Sequence, residues 1–182
     1  MLQEAVLVKM VSVFRPDISL YDSIGKRGNT YIKSKIKALN EASVHLPHII
    51  ITDLDDIECA PALIADWVSF KLSKKLLFRI AEKEVEAWIM ADRKNFARFL
   101  GVPVVKIPIN TEQIANPKTE LVNMARRSKR KQIKDLISEG TAQTGPGYNL
   151  ILQEFIFNQW DPVSAAEHNV SLSKAIERLK FF

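Results

Sequence analysis

The chain has 182 residues and a mass of 20.7 kDa, the length of one domain or of one domain with a small helical extension. A single cysteine, Cys59, and three histidines, His45, His48 and His168, exclude a disulfide scaffold and leave too little material for zinc-finger spacing or Cys/His catalysis. With 26 basic against 21 acidic side chains the net charge is +5, too mild to announce a polyanion-binding protein, so any catalysis rests mainly on carboxylates, lysines and arginines.

The hydrophobic fraction of 47% and charged fraction of 26% are ordinary for a globular protein, and no run of about 18 apolar residues is present to span a bilayer. No export signal opens the sequence and its one thiol suits a reducing compartment, so a soluble, cytoplasmic protein with no membrane partner is expected.

Leu2 to Phe14 is helical in pattern, with Leu2, Val6, Met10 and Val13 near one face. Ile18 to Tyr21 alternates like a short strand, Gly25 to Asn29 reads as a loop containing Gly28, and a helix is expected from about Thr30 to Glu41. His48 to Thr52 is a β-branched apolar run that predicts a strand buried on both faces, with acids at its carboxyl end. A helix opening at Pro61 is expected to reach about Lys74, and Leu76 to Ile80 is the next strand. From Glu82 to Leu100 another helical stripe follows, with Gly101 placed to end it. Strands alternating with helices predict a parallel or mostly parallel α/β sheet. Beyond Gly101 the pattern turns helical: Asn116 to about Arg127, Leu150 to Asn158 and Leu172 to Lys180, with a glycine-containing loop from Gly140 to Gly147.

The segment Ile49-Ile-Ile-Thr-Asp53-Leu-Asp55-Asp56 carries the most chemistry, because ligands of open α/β sheets bind beyond the carboxyl ends of strands. Asp53 and Asp55 are spaced so that both can aim at one hard, oxygen-preferring cation, magnesium or manganese. The plainer reading is that acids at a strand end cap the next helix. A second acidic group, Glu82, Glu84 and Glu86, follows the next strand. Charge placement in a first helical turn accounts for some of it, but parallel neighbours would bring Glu84 or Glu86 beside Asp53 and Asp55 to complete a metal site. Asp92 is either a buried functional acid or the N-cap of a second short helix to Leu100.

Lys118 sits at a helix start marked by Asn116 and Pro117, where a cation is unfavourable unless an anion such as phosphate lies nearby or Glu120 screens it. Arg126 to Lys134 holds six cations in nine residues, either a phosphate-directed patch or a solvated helix face. Gly145-Pro-Gly147-Tyr148 brings backbone amides and a phenol within reach of a ligand, though a loop between helices needs glycine anyway.

At Asp53-Leu-Asp55 and Glu84-Val-Glu86-Ala-Trp88 the sequence resembles the TOPRIM family of topoisomerases, primases and overcoming-lysogenization-type nucleases, and looks closest to uncharacterised bacterial TOPRIM-like proteins. The similarity extends to Gly28, Pro117-Lys118, the basic run, Gly145-Pro-Gly147-Tyr148 and Trp160-Asp-Pro162. The resemblance implies an α/β fold with a mostly parallel sheet flanked by helices over 1–105, and a helical C-terminal extension over 106–182 packed on that core. It implies a Mg2+-dependent (or Mn2+-dependent) nucleic-acid phosphodiesterase with Asp53 and Asp55 on the metal and Glu84 or Glu86 assisting. Lys118, Arg126, Arg127, Arg130 and Lys131 would then meet the nucleic-acid backbone. The family's first-strand glutamate has no counterpart here, since Met1 opens directly on the helix that would follow that strand; this sets a nucleic-acid- or partner-binding module without catalysis beside the nuclease. An apolar strand ending in Asp53-Leu-Asp55 also resembles the nucleophile motif of haloacid-dehalogenase-like phosphatases, in which Asp53 would be phosphorylated and Asp55 would act in acid–base chemistry.

Overall fold

The computed structural model describes residues 1–24, 28–138 and 141–182. Helix α1 (Leu2–Phe14) and helix α2 (Asn29–Ala42) precede strand β1 (His48–Asp53), and helix α3 (Ala60–Trp67) leads to strand β2 (Leu76–Ala81). The short helices α4 (Val85–Ala91) and α5 (Arg93–Leu100) follow, then α6 (Pro117–Ala125), α7 (Tyr148–Asn158), α8 (Pro162–Ala166) and α9 (Val170–Lys180). Single 3-10 turns lie at Val104–Lys106 and Thr111–Gln113, and a longer one at Lys131–Leu136.

The two strands pair in parallel, His48 opposite Leu76 and Asp53 opposite Ala81, so both carboxyl ends fall at the same edge. The β-branched residues of β1 are covered on both sides, as that composition requires. Ile50, Leu76, Phe78 and Ile80 face α2 and α3 in one apolar cluster with Ile36, Leu39, Leu63 and Trp67. Leu77 and Ala81 face the opposite way, into a larger cluster built on Trp88, Phe96, Phe155 and Trp160. That cluster takes side chains from both ends of the chain, Leu2 and Val6 as well as Leu172 and Leu179, so α1 and α9 share one core with α4 to α7.

The α/β class and the parallel sheet agree with the sequence reading, but among the described residues the sheet has two strands. Ile18 to Tyr21 forms no strand: Tyr21 is 88% exposed, Leu20 is also exposed, and neither backbone is held in a ladder. Alternation alone cannot order such a segment without a neighbour to pair with. Gly25, Lys26, Arg27, Glu139 and Gly140 lie outside the described residues, so parts of the two loops expected around them do too. Helix α3 stops at Trp67, well short of Lys74, because Val68 turns extended (φ −125°) while Phe70 and Leu72 drop back onto the second cluster. The stripe from Glu82 to Leu100 is two helices, broken at Asp92. Gly101 ends the second of them in the left-handed conformation (φ 70°).

A candidate site of carboxylates around Lys118

Parallel pairing continues past the strands: Leu54 N–H donates to the Ala81 carbonyl at 3.0 Å and Asp55 N–H to the Lys83 carbonyl at 2.8 Å. The two acidic stretches are therefore stitched together by backbone. Both connections carry a non-glycine residue at positive φ, Asp55 at 52° and Lys83 at 63°. Each such residue costs about 1 kcal/mol or more, and strain of this kind is retained where the surroundings over-determine it.

Asp53 is 8% exposed and both its oxygens accept hydrogen bonds, Oδ1 from Val85 N–H at 2.9 Å and Oδ2 from Gln3 Nε2 at 2.7 Å. Burial, and then the nearby charge of Glu86, push its carboxyl up to about 7. Asp55 is more open and accepts from Asn29 Nδ2; burial raises its pKa, with the Glu84 charge contributing. Asn29 is the hinge of this corner, since the same amide nitrogen also donates to the Asp53 carbonyl at 3.2 Å and its Oδ1 accepts from Thr52 Oγ1 at 2.6 Å.

Glu84 is the N-cap residue of α4, extended in backbone, with its side chain turned toward α6. There Lys118 N–H donates to Glu84 Oε2 at 2.7 Å and Lys118 Nζ to Oε1 at 3.2 Å. Glu86, 2% exposed, lies 3.8 Å from the same ammonium and accepts from Tyr148 Oη at 2.9 Å. Burial raises the Glu86 carboxyl, partly against the pull of Lys118. For Lys118 burial works downward, but Glu86 and Glu84 outweigh it and hold the ammonium above its ordinary value. Burial and the Glu86 charge raise Tyr148 strongly, keeping its phenol protonated as a donor.

Asp53, Asp55, Glu84, Glu86 and Lys118 are thus brought into one electrostatic cluster at the carboxyl ends of β1 and β2. The anion beside Lys118 is Glu84, and no ligand is needed to explain a lysine at that helix start. Gln3 and Asn29, which orient the aspartates, carry no sequence signal, because amides of this kind are common in first helical turns. Tyr148 is legible in the sequence only as a phenol in a glycine loop. The basic run is not one helix face: α6 ends at Ala125, Arg126 and Arg127 lie in the turn beyond it, and Lys131 opens a 3-10 turn. Arg126, Arg127, Arg130 and Lys131 are exposed; Arg126 Nη1 donates to Asn123 Oδ1 and Arg130 Nη1 to the Phe99 carbonyl. Asp92 belongs elsewhere, as the cap of α5.

The donor set suits a hard divalent ion in kind, being all oxygen, although burial more than mutual repulsion is what raises the Asp53, Asp55 and Glu86 carboxyls. As the side chains are placed, no three His, Cys, Asp or Glu among the described residues form a group that could hold a metal ion. Lys118 supplies the positive charge of the cluster. No described helix is long and apolar enough to cross a membrane. Compared with known proteins, the chain matches no family model, no curated protein and no solved structure.

Proposed function

We propose that this chain is a TOPRIM-like protein that processes nucleic-acid phosphodiesters with a divalent cation, Mg2+ or Mn2+. The observation that carries the reading is the convergence of Asp53, Asp55 and Glu84 from the ends of two parallel strands, through connections strained at Asp55 and Lys83. As their side chains are placed these three do not form a metal-holding group; turned from Gln3, Asn29 and Lys118 they would hold the cation, which when bound would stabilise negative charge on a phosphoryl oxygen and make water more acidic. Gln3 and Asn29 hold the aspartates in position, and Glu86 is fixed by Tyr148. Burial holds the Asp53 carboxyl up at about 7, so cation binding there would release protons near neutral pH.

Lys118 links the cluster to the exposed cations. Helix α6 rises about 12 Å between Lys118 and Arg126, a span of roughly three to four nucleotides of one strand. A backbone running from the carboxylates along α6 would meet Arg126 and Arg127 in the turn that ends it, with Arg130 and Lys131 following in the sequence. Mg2+-dependent cleavage of single- or double-stranded oligonucleotides tests the reading; activity should disappear in Asp55→Ala, and binding should weaken steeply with salt. Cleavage that survives chelation of divalent ions would sink it.

A second reading keeps the nucleic acid and drops the cutting. It is favoured by the place of Lys118, whose ammonium already offsets the acids that a cation would otherwise neutralise. Salt-sensitive binding without cleavage under any divalent ion selects this alternative. An Asp53 phosphorylated in a phosphatase cycle is the least favoured, since both Asp53 oxygens are engaged and the residue is buried.

A further inference from the structure

The two contacts of Lys118 with Glu84 differ in freedom. The backbone N–H on Oε2 is fixed by the first turn of α6, whereas the ammonium on Oε1 ends a flexible stem. The Lys118 side chain is 30% exposed, against 18% for Glu84 and 3% for Glu86, so the ammonium lies where the cluster meets solvent. When it swings outward, Glu84 Oε2 keeps the backbone donor and Glu86 Oε1 keeps the Tyr148 hydroxyl. The bond to Glu84 Oε1 is lost, while α6 stays docked on the N-cap of α4.

That movement is unfavourable by itself. The ammonium stands 3.2 Å from Glu84 and 3.8 Å from Glu86, and among the described residues no other cationic side chain lies within 4.0 Å of either glutamate. Swinging it out alone leaves both acids uncompensated, one of them buried. A divalent ion entering while the ammonium stays meets like charge and finds Glu84 occupied, and a phosphate approaching the ammonium in place meets the acids. Each ligand is opposed when it comes alone. When both come the balance is restored, since the ion compensates the glutamates and the phosphate compensates the lysine. By linkage, each then raises the affinity for the other by the same factor.

We propose that Lys118 is a displaceable internal cation that couples the binding of a nucleic-acid phosphate to that of a divalent ion at Asp53, Asp55 and Glu84. The proposal rests on the reading of that cluster as a cation site and adds its regulation. In the resting chain the lysine neutralises the acids and holds Glu84 away from the aspartates. A backbone phosphate drawing the ammonium outward frees Glu84 Oε1, so the site is completed only when the polyanion is present. Lys118 is on this account a positioning residue, acting through Glu84.

The test measures Mn2+ binding from the electron paramagnetic resonance of the free ion, using the full chain alone, with tetrathymidylate, and with the uncharged methylphosphonate analogue of that oligonucleotide. Binding of the ion by each oligonucleotide alone is measured and subtracted. Tetrathymidylate should raise the Mn2+ affinity of the native chain about tenfold, within the usual span of coupling between sites, and the analogue should leave it unchanged. Lys118→Met should take Mn2+ about tenfold more tightly than the native chain without any oligonucleotide, and tetrathymidylate should add nothing further. The native chain gives a readout that needs no folded Lys118→Met: the Cε resonance of Lys118, assigned by its absence from Lys118→Arg, should shift when tetrathymidylate and Mg2+ are added. Mn2+ affinity that is equal in the native chain and Lys118→Met and indifferent to tetrathymidylate overturns the lysine coupling and leaves the cation site standing. An unmoved Cε resonance, or coupling that the methylphosphonate analogue reproduces, overturns it as well. Absence of Mn2+ binding at millimolar ion, with or without tetrathymidylate, removes the cation site and this proposal with it.

Discussion

Lys118 holds Glu84 with two groups at once, its backbone N–H on Oε2 and its ammonium on Oε1. This is how the first turn of α6 docks on the N-cap of α4, 34 residues earlier in the chain. Removing the ammonium while keeping the stem, as in Lys118→Met, leaves Glu86 buried without its only cation within 4.0 Å among the described residues. A loss of about 2 kcal/mol is expected, below the ~3–5 kcal/mol of a fully buried pair because Lys118 is partly exposed. Chemical denaturation measures it. If the carboxylates take a divalent ion, added Mg2+ should restore part of the loss in Lys118→Met, and absence of any rescue counts against the metal reading.

The cluster also sets the sign of the pH dependence. The Asp53 carboxyl stands at about 7 against 3.8 when free, and Asp55 and Glu86 are also raised. Between those limits the folded chain binds more protons than the unfolded one, so stability is greatest below about pH 4 for these groups and is lost as pH rises through about 7. From Asp53 alone the change is at most on the order of 4 kcal/mol, since each tenfold change in proton affinity is worth about 1.36 kcal/mol. Exposed Asp17 and half-buried Asp161, whose carboxyls are lowered, pull the other way only in strong acid. Without divalent ions, urea midpoints should therefore be higher at pH 5 than at pH 8. Asp53→Asn, with the Gln3 amide turned to suit, should flatten the profile and stabilise the chain at pH 8 by about 1–2 kcal/mol. A midpoint that rises toward pH 8 in metal-free buffer contradicts the buried-acid account.

Asp92 is structural. At 1% exposure it caps α5 through Asn95 N–H, accepts from Asn95 Nδ2 at 2.7 Å and takes the Asp161 N–H at 2.8 Å. Asp161 in turn caps α8 by accepting from Val163 N–H and Ser164 N–H. Asp92→Ala strands half-buried donors on two elements and should cost about 2 kcal/mol, combining a lost cap with unsatisfied groups. Thermal melting should show this, while any Mg2+ response of the folded fraction stays as in the parent chain. A change of less than about 0.5 kcal/mol would place the residue among ordinary surface positions.

Gly145 is required by space. A Cβ there would stand 2.3 Å from the Asp135 carbonyl oxygen and 2.6 Å from that of Ile137, both backbone atoms that cannot swing aside. The approach is enforced by the Gly145 N–H bond to the Leu136 carbonyl at 3.0 Å, which seats the loop leading to Tyr148. Gly145→Ala should destabilise by about 1–3 kcal/mol, the range of overpacking, and should loosen the Tyr148 bond to Glu86. Tyrosine fluorescence resolved from tryptophan, or the ring proton shifts of Tyr148, would report the loosening; wild-type stability would show that the loop has another way to lie.

The two strands, their acids and most helices are legible in the sequence, because these follow from local periods. His48 to Asp53 is too β-branched to be a helix, and Asn116-Pro117 and Gly101 are start and stop signals read within a few residues. The break at Asp92 is local too, although the sequence admits both a functional acid and a cap there. Which side chains share a space is settled by packing in three dimensions. Parallel register puts Asp53 beside Val85, α1 delivers Gln3 across 50 residues, and α6 turns Lys118 inward to Glu84, where its position at a helix start suggests phosphate. Such pairings depend on long-range packing of Trp88, Phe96 and Phe155, which no window of neighbouring residues encodes. The same limit explains the unmade strand at Ile18 to Tyr21: alternation is a property of the segment, whereas a strand needs a partner edge that the fold must supply.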